Sequence, residues 1–409
     1  MKLITVLILC FCFLCSLFAC ASQPQPEKNS LEDSSSQGGP APGSDTDAVS
    51  DASSDTLTDS ATEDGISDAG PESDVSSDDV AGQPPEEPEE TLFHTYEATL
   101  EHRFITTDII NFSLVVYDLN QWDRASETLD DSAIIWEWRS REDPNCFYAN
   151  KIIRSISGVK FRYSEYYGKD VVVACANFGW VGVIDYEACS LLWECELPTG
   201  PHSVEMLPNG DVVVGSADGE GALYYFPLSA GETDWTCSVE SPACHGVCWD
   251  PEKEWLWVLE LEGVSAFRVD DVGSADGELI RLDGHGAKFS GDSGGHAFAP
   301  IAGTPGKYWV SAGKLWVFDS KTETLTRTSR SDLISGGIKG VCSFSDQTVV
   351  LSVAGLQGQN VHSWGSDGFK IVFRELSSGK VKLPRDQVIT VSTPGREFYK
   401  IQAFSKKYQ

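Results

Sequence analysis

Three histidines recur at similar points of a repeating pattern: His202 in PHSVEM, His245 in CHGVCWDP and His296 in GGHAFAP. Lysines stand at comparable points of three further runs: Lys160 in VKFRYS, Lys339 in KGVCSF and Lys400 in YKIQAF. Brought together, these six side chains offer several kinds of chemistry. As a set they form a basic focus, and such a pocket suits a phosphate, a carboxylate or an anionic sugar. The three histidines alone are candidates to hold a divalent metal such as zinc, manganese or calcium, with an open position for water. A histidine or lysine could also act as a base while a neighbouring cation neutralises a substrate carboxylate, the chemistry of a uronate lyase. The plain structural alternative is that each caps backbone carbonyls of a neighbouring element.

The elements that must position them are short strands. Each of the six residues lies near the start of an apolar, alternating run, the pattern of a half-buried strand. After it comes a turn, a β-branched or aromatic strand, a Gly/Asp/Asn turn and a further aromatic strand. In His202–Ser216 the turn is the dipeptide Asn209-Gly210, a strong hairpin signal. Aligned on their first strands, Lys160, His202, His245, His296 and Lys339 are separated by 42, 43, 51 and 43 residues. A period of about 40–50 residues per four strands is that of a propeller blade. The ends complete the count. RFITTD, LVVYDL and IIWEW supply three strands without a first one, and EFYKIQAF near the C-terminus supplies one strand without a blade. Sharing a blade between them predicts an all-β, six-bladed β-propeller over residues 91–409, closed on itself so that no sheet edge is left open.

In a blade of four antiparallel strands, the start of the innermost strand and the second turn share one face. Lys160, His202, His245, His296, Lys339 and Lys400 are therefore expected to ring one mouth of the central channel, with Asp108, Asn177 and Asp218 at second turns on the same face. Trp180, Trp235, Trp249, Trp255, Trp257, Trp309 and Trp316 lie mostly on strands and are expected to pack blades rather than stack on sugars. The loop Gly291–Gly295, just ahead of His296, lacks the strand-to-helix setting of a phosphate loop or nucleophile elbow. His285 and His362 fall in loops and are given no role.

The first 90 residues are different. Met1-Lys2 is followed by a long apolar run ending Leu17-Phe18-Ala19-Cys20. This ending resembles the lipobox of bacterial lipoproteins, which implies a signal peptide over 1–19, cleavage before Cys20 and lipid on its sulfur. Residues 20–90 are rich in Ser, Asp, Glu, Gly and Pro, with 19 acids against one base, Lys28. Such a segment buries too little apolar surface to fold, and self-repulsion extends it into a tether. These features place the protein at a cell membrane, lipid-anchored and facing the extracytoplasmic side. The whole chain carries a formal charge of -32 and its C-terminal region is also acidic, which argues against nucleic acid as a partner. A monomer is expected.

Eight cysteines lie beyond residue 91. Cys175, Cys248 and Cys342 sit in apolar strand runs and read as buried small hydrophobes. Cys189 with Cys195, and Cys237 with Cys244, are candidate disulfides for an oxidising compartment.

Taken in order, Pro201-His202-Ser203, Glu205, Leu207-Pro208, His245-Gly246, Trp249-Asp250-Pro251, Gly294-Gly295-His296, Lys339 and Tyr399-Lys400 resemble a family of secreted bacterial β-propeller domains with no assigned function. The likeness runs from about Arg103 to the C-terminus and implies the fold and an extracytoplasmic setting, but no reaction. In that family the opening strand tends to end in Asp-Gln, whereas here Asp108 is followed by Ile109. The functional expectation is a tethered module that binds an anionic ligand, a glycan or its fragment, at the channel mouth. Its alternatives are a carbohydrate lyase or hydrolase, metal-assisted or His/Lys-based, and a protein-interaction scaffold.

Overall fold

The computed structural model describes residues 102–123, 125–328, 337–358, 365–373 and 387–408. The leader, Cys20, the acidic segment and His362 lie outside the described residues. Within them, 24 strands form six four-stranded antiparallel sheets. Blade 1 contains β1 (Arg103–Asp108), β2 (Ser113–Asp118) and β3 (Ile134–Arg139). Blade 2 is β4 (Ile156–Ser164), β5 (Lys169–Ala176), β6 (Trp180–Asp185) and β7 (Ser190–Glu196). Blade 3 is β8 (Pro201–Met206), β9 (Val212–Ser216), β10 (Ala222–Phe226) and β11 (Cys237–Glu240). Blade 4 is β12 (Gly246–Asp250), β13 (Trp255–Leu259), β14 (Gly263–Asp270) and β15 (Glu278–Lys288). Blade 5 is β16 (Ala297–Pro300), β17 (Lys307–Ala312), β18 (Lys314–Asp319) and β19 (Thr324–Arg327). Blade 6 is β20 (Ile338–Ser343), β21 (Val349–Val353), β22 (Gly368–Phe373) and β23 (Gln387–Ser392). The last strand, β24 (Phe398–Ala403), pairs with β1 as the innermost strand of blade 1, the shared blade that the sequence predicts.

The sheets hold together face to face. The apolar core is divided into clusters that each draw on two neighbouring blades, and these run all the way round the ring. One of them joins blade 6 to blade 1 through Phe104, Tyr117, Phe369 and Phe398. That contact, with the β1–β24 ladder, closes the propeller. Tryptophans do pack the blade interfaces: Trp138 of blade 1 stacks on Trp180 of blade 2 at 5.8 Å, and Trp257 of blade 4 meets Phe318 of blade 5 edge-on at 4.9 Å. The indole N–H groups of Trp138, Trp180 and Trp257 end on Asp143, Glu194 and Asp250, so these three rings leave no orphan donor.

The expected disulfides are not formed; all eight described cysteines are free. Cys189 and Cys195 flank and end the single extended strand β7, roughly 20 Å apart at the ordinary rise per residue, far beyond the reach of a disulfide. Cys237 lies on the outermost strand of blade 3, whereas Cys244 sits at the start of the innermost strand of blade 4. Burial pushes every one of these thiols above its ordinary pKa, that of Cys175, Cys195 and Cys244 to about 12, so they are small apolar side chains with little thiolate to oxidise.

Candidate functional site

Ladder register decides which residues stand at the mouth of the channel. In blade 3, Pro201 pairs with Ser216 and Ser203 with Gly215, so His202 is the extra residue of a β-bulge. A bulge re-aims its side chain away from the sheet face. Blade 6 repeats this at Lys339, between Ile338 and Gly340. In blades 4 and 5 the corresponding residues are His245 and His296, whose backbone N–H groups bond Leu259 O and Ser311 O just ahead of β12 and β16. These four are brought together as predicted. The imidazoles meet edge to face in series, His202 to His245 at 4.8 Å and His245 to His296 at 4.7 Å. Lys339 Nζ then lies 3.1 Å from His296 Nε2.

Blades 1 and 2 differ from the expectation. In blade 2 the bulge falls between Ile156 and Gly158, so Ser157, not Lys160, matches His202. The strand β4 starts three residues earlier than its sequence pattern suggests, and the polar residue at its true start is a small serine. In blade 1 the equivalent position is Tyr399, whose ring lies 6.4 Å from His202. Lys400 is the next residue and reaches across the channel, donating to His245 O at 3.0 Å and to His296 O. Lys160 lies deeper, in one register layer with Glu205, Cys248 and Gln402. Asp108 is buried at the β1–β2 turn; its carboxylate accepts from the Ile110 and Asn111 backbone N–H groups, from Asn111 Nδ2 and from Arg396 Nη1 at 3.0 Å. It braces the closing blade and presents no free oxygen to the mouth.

The second turns of blades 2 and 3 come close beside His202. Gly200 makes this possible: a Cβ there would lie 2.1 Å from Asp218 Oδ2 and 2.7 Å from Asn177 O. Gly200 O in turn accepts from His202 Nδ1 at 3.0 Å, and Ala243 O accepts from His245 Nδ1 at 2.9 Å. Each bond fixes the tautomer, leaving the Nε2 lone pair as an acceptor. On His296 the order is reversed: the Lys339 ammonium donates to Nε2, and the buried Nδ1–H has no partner.

The charge at the mouth is smaller than its composition suggests. Burial, Lys400 and the adjacent His202 hold His245 down to about 3, and burial with Lys339 holds His296 to about 2. Burial also lowers His202, with further depression from Lys400. All three imidazoles are therefore neutral at pH 7. Burial brings Lys400 down to about 7, with Lys339 adding to the shift, and burial lowers Lys339 as well. The rim of the mouth thus carries one ammonium, Lys339, beside three neutral imidazoles, with a half-protonated Lys400 beneath them.

This arrangement also bears on the metal expectation. Among the described residues, no three His, Cys, Asp or Glu side chains are grouped to hold a metal ion. On His296 the reason is local: the Lys339 ammonium sits on the Nε2 lone pair that a metal would need, whereas the Nε2 lone pairs of His202 and His245 stay open.

Below the ring the channel is filled. The space lined by Lys160, His202, Ser203, His245, Lys400 and Gln402 is a cavity of about 10 Å³, enough for about one water. Lower still, Arg162 grips Glu205 with two bonds of 2.8 and 2.9 Å, both side chains buried. Arg162 also lies over the Tyr408 ring at 4.6 Å, while Phe404 stacks on Phe161 at 4.0 Å, so the C-terminal residues pack against this end. Below the mouth there is room for a water or a single small ion and for nothing larger.

The residues that sequence reasoning missed here are Ser157, Tyr399, Arg162 and Gln402. Glu205 and Tyr399 are conspicuous in the repeat motifs, but nothing in their spacing distinguishes a channel layer from an ordinary strand.

The model of a family of unknown function, DUF6528, matches residues 124–368, more than half of the chain. The chain belongs to the DUF6528 family. No curated protein matches it. Among solved structures it is similar to the Cps50 (Swd1) β-propeller domain of Myceliophteria_thermophila, at 10% identity and a TM-score of 0.43 over 72% of this chain and 91% of that one. A functionally unknown protein of Desulfotomaculum acetoxidans DSM 771 matches at 11% identity and 0.42 over 70% and 79%. A protein of unknown function from Bacteroides caccae matches at 12% and 0.45 over 74% and 98%. The DUF6528 match fixes the family and agrees with the resemblance seen in the motifs.

Proposed function

We propose that this DUF6528 member is a lipid-tethered, extracytoplasmic propeller whose channel mouth binds an acidic saccharide, one uronate-type residue or the end of a short anionic glycan. The observation that carries this reading is the row His202, His245, His296 and Lys339. One ammonium suits one carboxylate. The free Nε2 acceptors of His202 and His245 suit neighbouring hydroxyl groups, which donate. A simple inorganic anion would find only one cation and would face two lone pairs. Tethering is read from the Leu17–Cys20 ending and the acidic segment; among the described residues no helix is long and apolar enough to cross a membrane. Ring closure covers the blade faces with neighbouring blades, which favours a monomer.

The second reading is a lyase. Its motivation is the open Nε2 lone pairs of His202 and His245, candidate bases, in one row with Lys339, a carboxylate-neutralising cation.

A panel of acidic and neutral oligosaccharides tests both. Binding of the acidic set should be lost when His202, His245 and His296 are all replaced by Gln in a variant that retains the wild-type circular dichroism. Appearance of an unsaturated product absorbing in the ultraviolet would move the assignment to a lyase. An unfolded triple variant would make the histidines structural and end the binding argument. Partition of the full chain into detergent, abolished by Cys20→Ser, tests the tether.

A further inference from the structure

Two lysines below the mouth have no place in saccharide recognition. Lys160 is 3% exposed and Lys400 is 6% exposed; Lys160 shares the one carboxylate of Glu205 with Arg162, and Lys400 has no ion-pair partner among the described residues. The one acid near them, Glu205, is already neutralised by the Arg162 fork. Its Oε2 lies 3.7 Å from Lys160 Nζ, beyond a normal hydrogen bond. The other neighbours of Lys160 Nζ are Gln402 Oε1 and the Cys248 thiol, each at 3.5 Å, the second a weak acceptor. Lys400 spends two of its three N–H groups on His245 O and His296 O. A buried ammonium without a counter-charge is costly.

Both lysines line one small cavity, together with Ser203, Gln402 and the inner sides of His202 and His245. It is a cavity of about 10 Å³, room for one small spherical occupant. We propose that the channel holds a single halide-sized anion between Lys160 and Lys400, as a site separate from the mouth. The ion supplies negative charge beside the two lysines, accepts the remaining N–H of Lys400, joins the long contacts of Lys160 Nζ to Gln402 and Cys248, and ties blade 2 to the closing strand of blade 1. Chloride is the biological candidate by size and abundance. The site is structural: an occupied channel resists opening of the ring at β24.

Bromide replaces chloride as the probe. Crystals of the protein grown in sodium bromide should give one buried anomalous peak between the two Nζ atoms. In solution, the melting temperature of the full chain should rise with chloride concentration relative to gluconate at equal ionic strength, because a ligand that binds only the folded state stabilises it by mass action. Lys160→Met should lose that chloride-dependent shift, and should lose the bromide peak. If Lys160→Met does not fold, Lys160→Gln and the wild-type halide comparison carry the test. Lys339→Gln should keep the halide response while losing saccharide binding, so the two proposals fail separately. Equal melting temperatures in chloride and gluconate, or bromide peaks confined to the surface, would overturn the halide site.

Discussion

Acid should weaken this protein through its mouth histidines, and His245 allows the size of the effect to be worked out. In the unfolded chain its imidazole titrates near 6.5; in the folded protein burial and Lys400 hold it to about 3. Below pH 6.5 the unfolded state therefore binds a proton that the folded state refuses. Stability rises with pH wherever the unfolded state binds more protons, so here it is lost as pH falls from 6.5 towards 3. At pH 5 the unfolded imidazole is about 1.5 units below its pKa, a loss of about 2 kcal/mol relative to pH 8. Carboxylates with depressed pKa values act mainly below this window. His102 works in the opposite direction, since burial is outweighed by its 2.8 Å bond to Asp346 and its pKa is raised. Both contributions cancel when two variants are compared. Urea unfolding followed by tryptophan fluorescence at pH 8, 6 and 5 should show wild type losing about 2 kcal/mol more than His245→Gln. Glutamine can keep the bond to Ala243 O, so the variant folds. Identical pH slopes for the two proteins would refute the claim that the imidazole is held neutral.

Other consequences follow from the same geometry. Glu205→Gln leaves Arg162 buried without its partner and should cost about 3–5 kcal/mol in chemical denaturation, whereas Lys160→Met should cost less. Lys400 is held to about 7 in the folded state, so wild-type stability should climb between pH 7 and pH 10 as the unfolded lysine alone keeps its proton, and Lys400→Met should flatten that climb. Because all eight described cysteines are free and buried or half-buried, the intact mass of the unreduced protein should equal that of the reduced protein, and thiol reagents should react only after unfolding.

The fold was legible because its signals are local and repeated. Strand alternation, turn dipeptides and a near-constant period define the blades, and the orphan strand EFYKIQAF forces the shared closure that β24 makes with β1. His202, His245, His296 and Lys339 could be placed because each stands next to a recognisable hairpin. Lys160 could not, since a bulge and three extra residues at the start of β4 shift the register without changing the apolar pattern. Lys400 missed the ring by one residue for the same kind of reason, a single-residue slip that reverses the side of every side chain. The neutral state of the histidines was also hidden: burial and the nearness of Lys400 arise only when blades 1, 4 and 5 meet across the channel. The disulfide expectation failed because even cysteine number says nothing about which strand of a blade each one occupies.

The central claim is that Lys339 reads a carboxylate while neutral imidazoles read hydroxyls. Calorimetric titration of a uronate oligosaccharide and of its reduced, neutral counterpart into wild type and Lys339→Gln tests this most directly. Wild type should prefer the acidic ligand by at least about tenfold, the worth of one charge-assisted hydrogen bond, and Lys339→Gln should bind both equally weakly. Equal affinity of wild type for the two ligands, or an acidic preference that survives in Lys339→Gln, would contradict it.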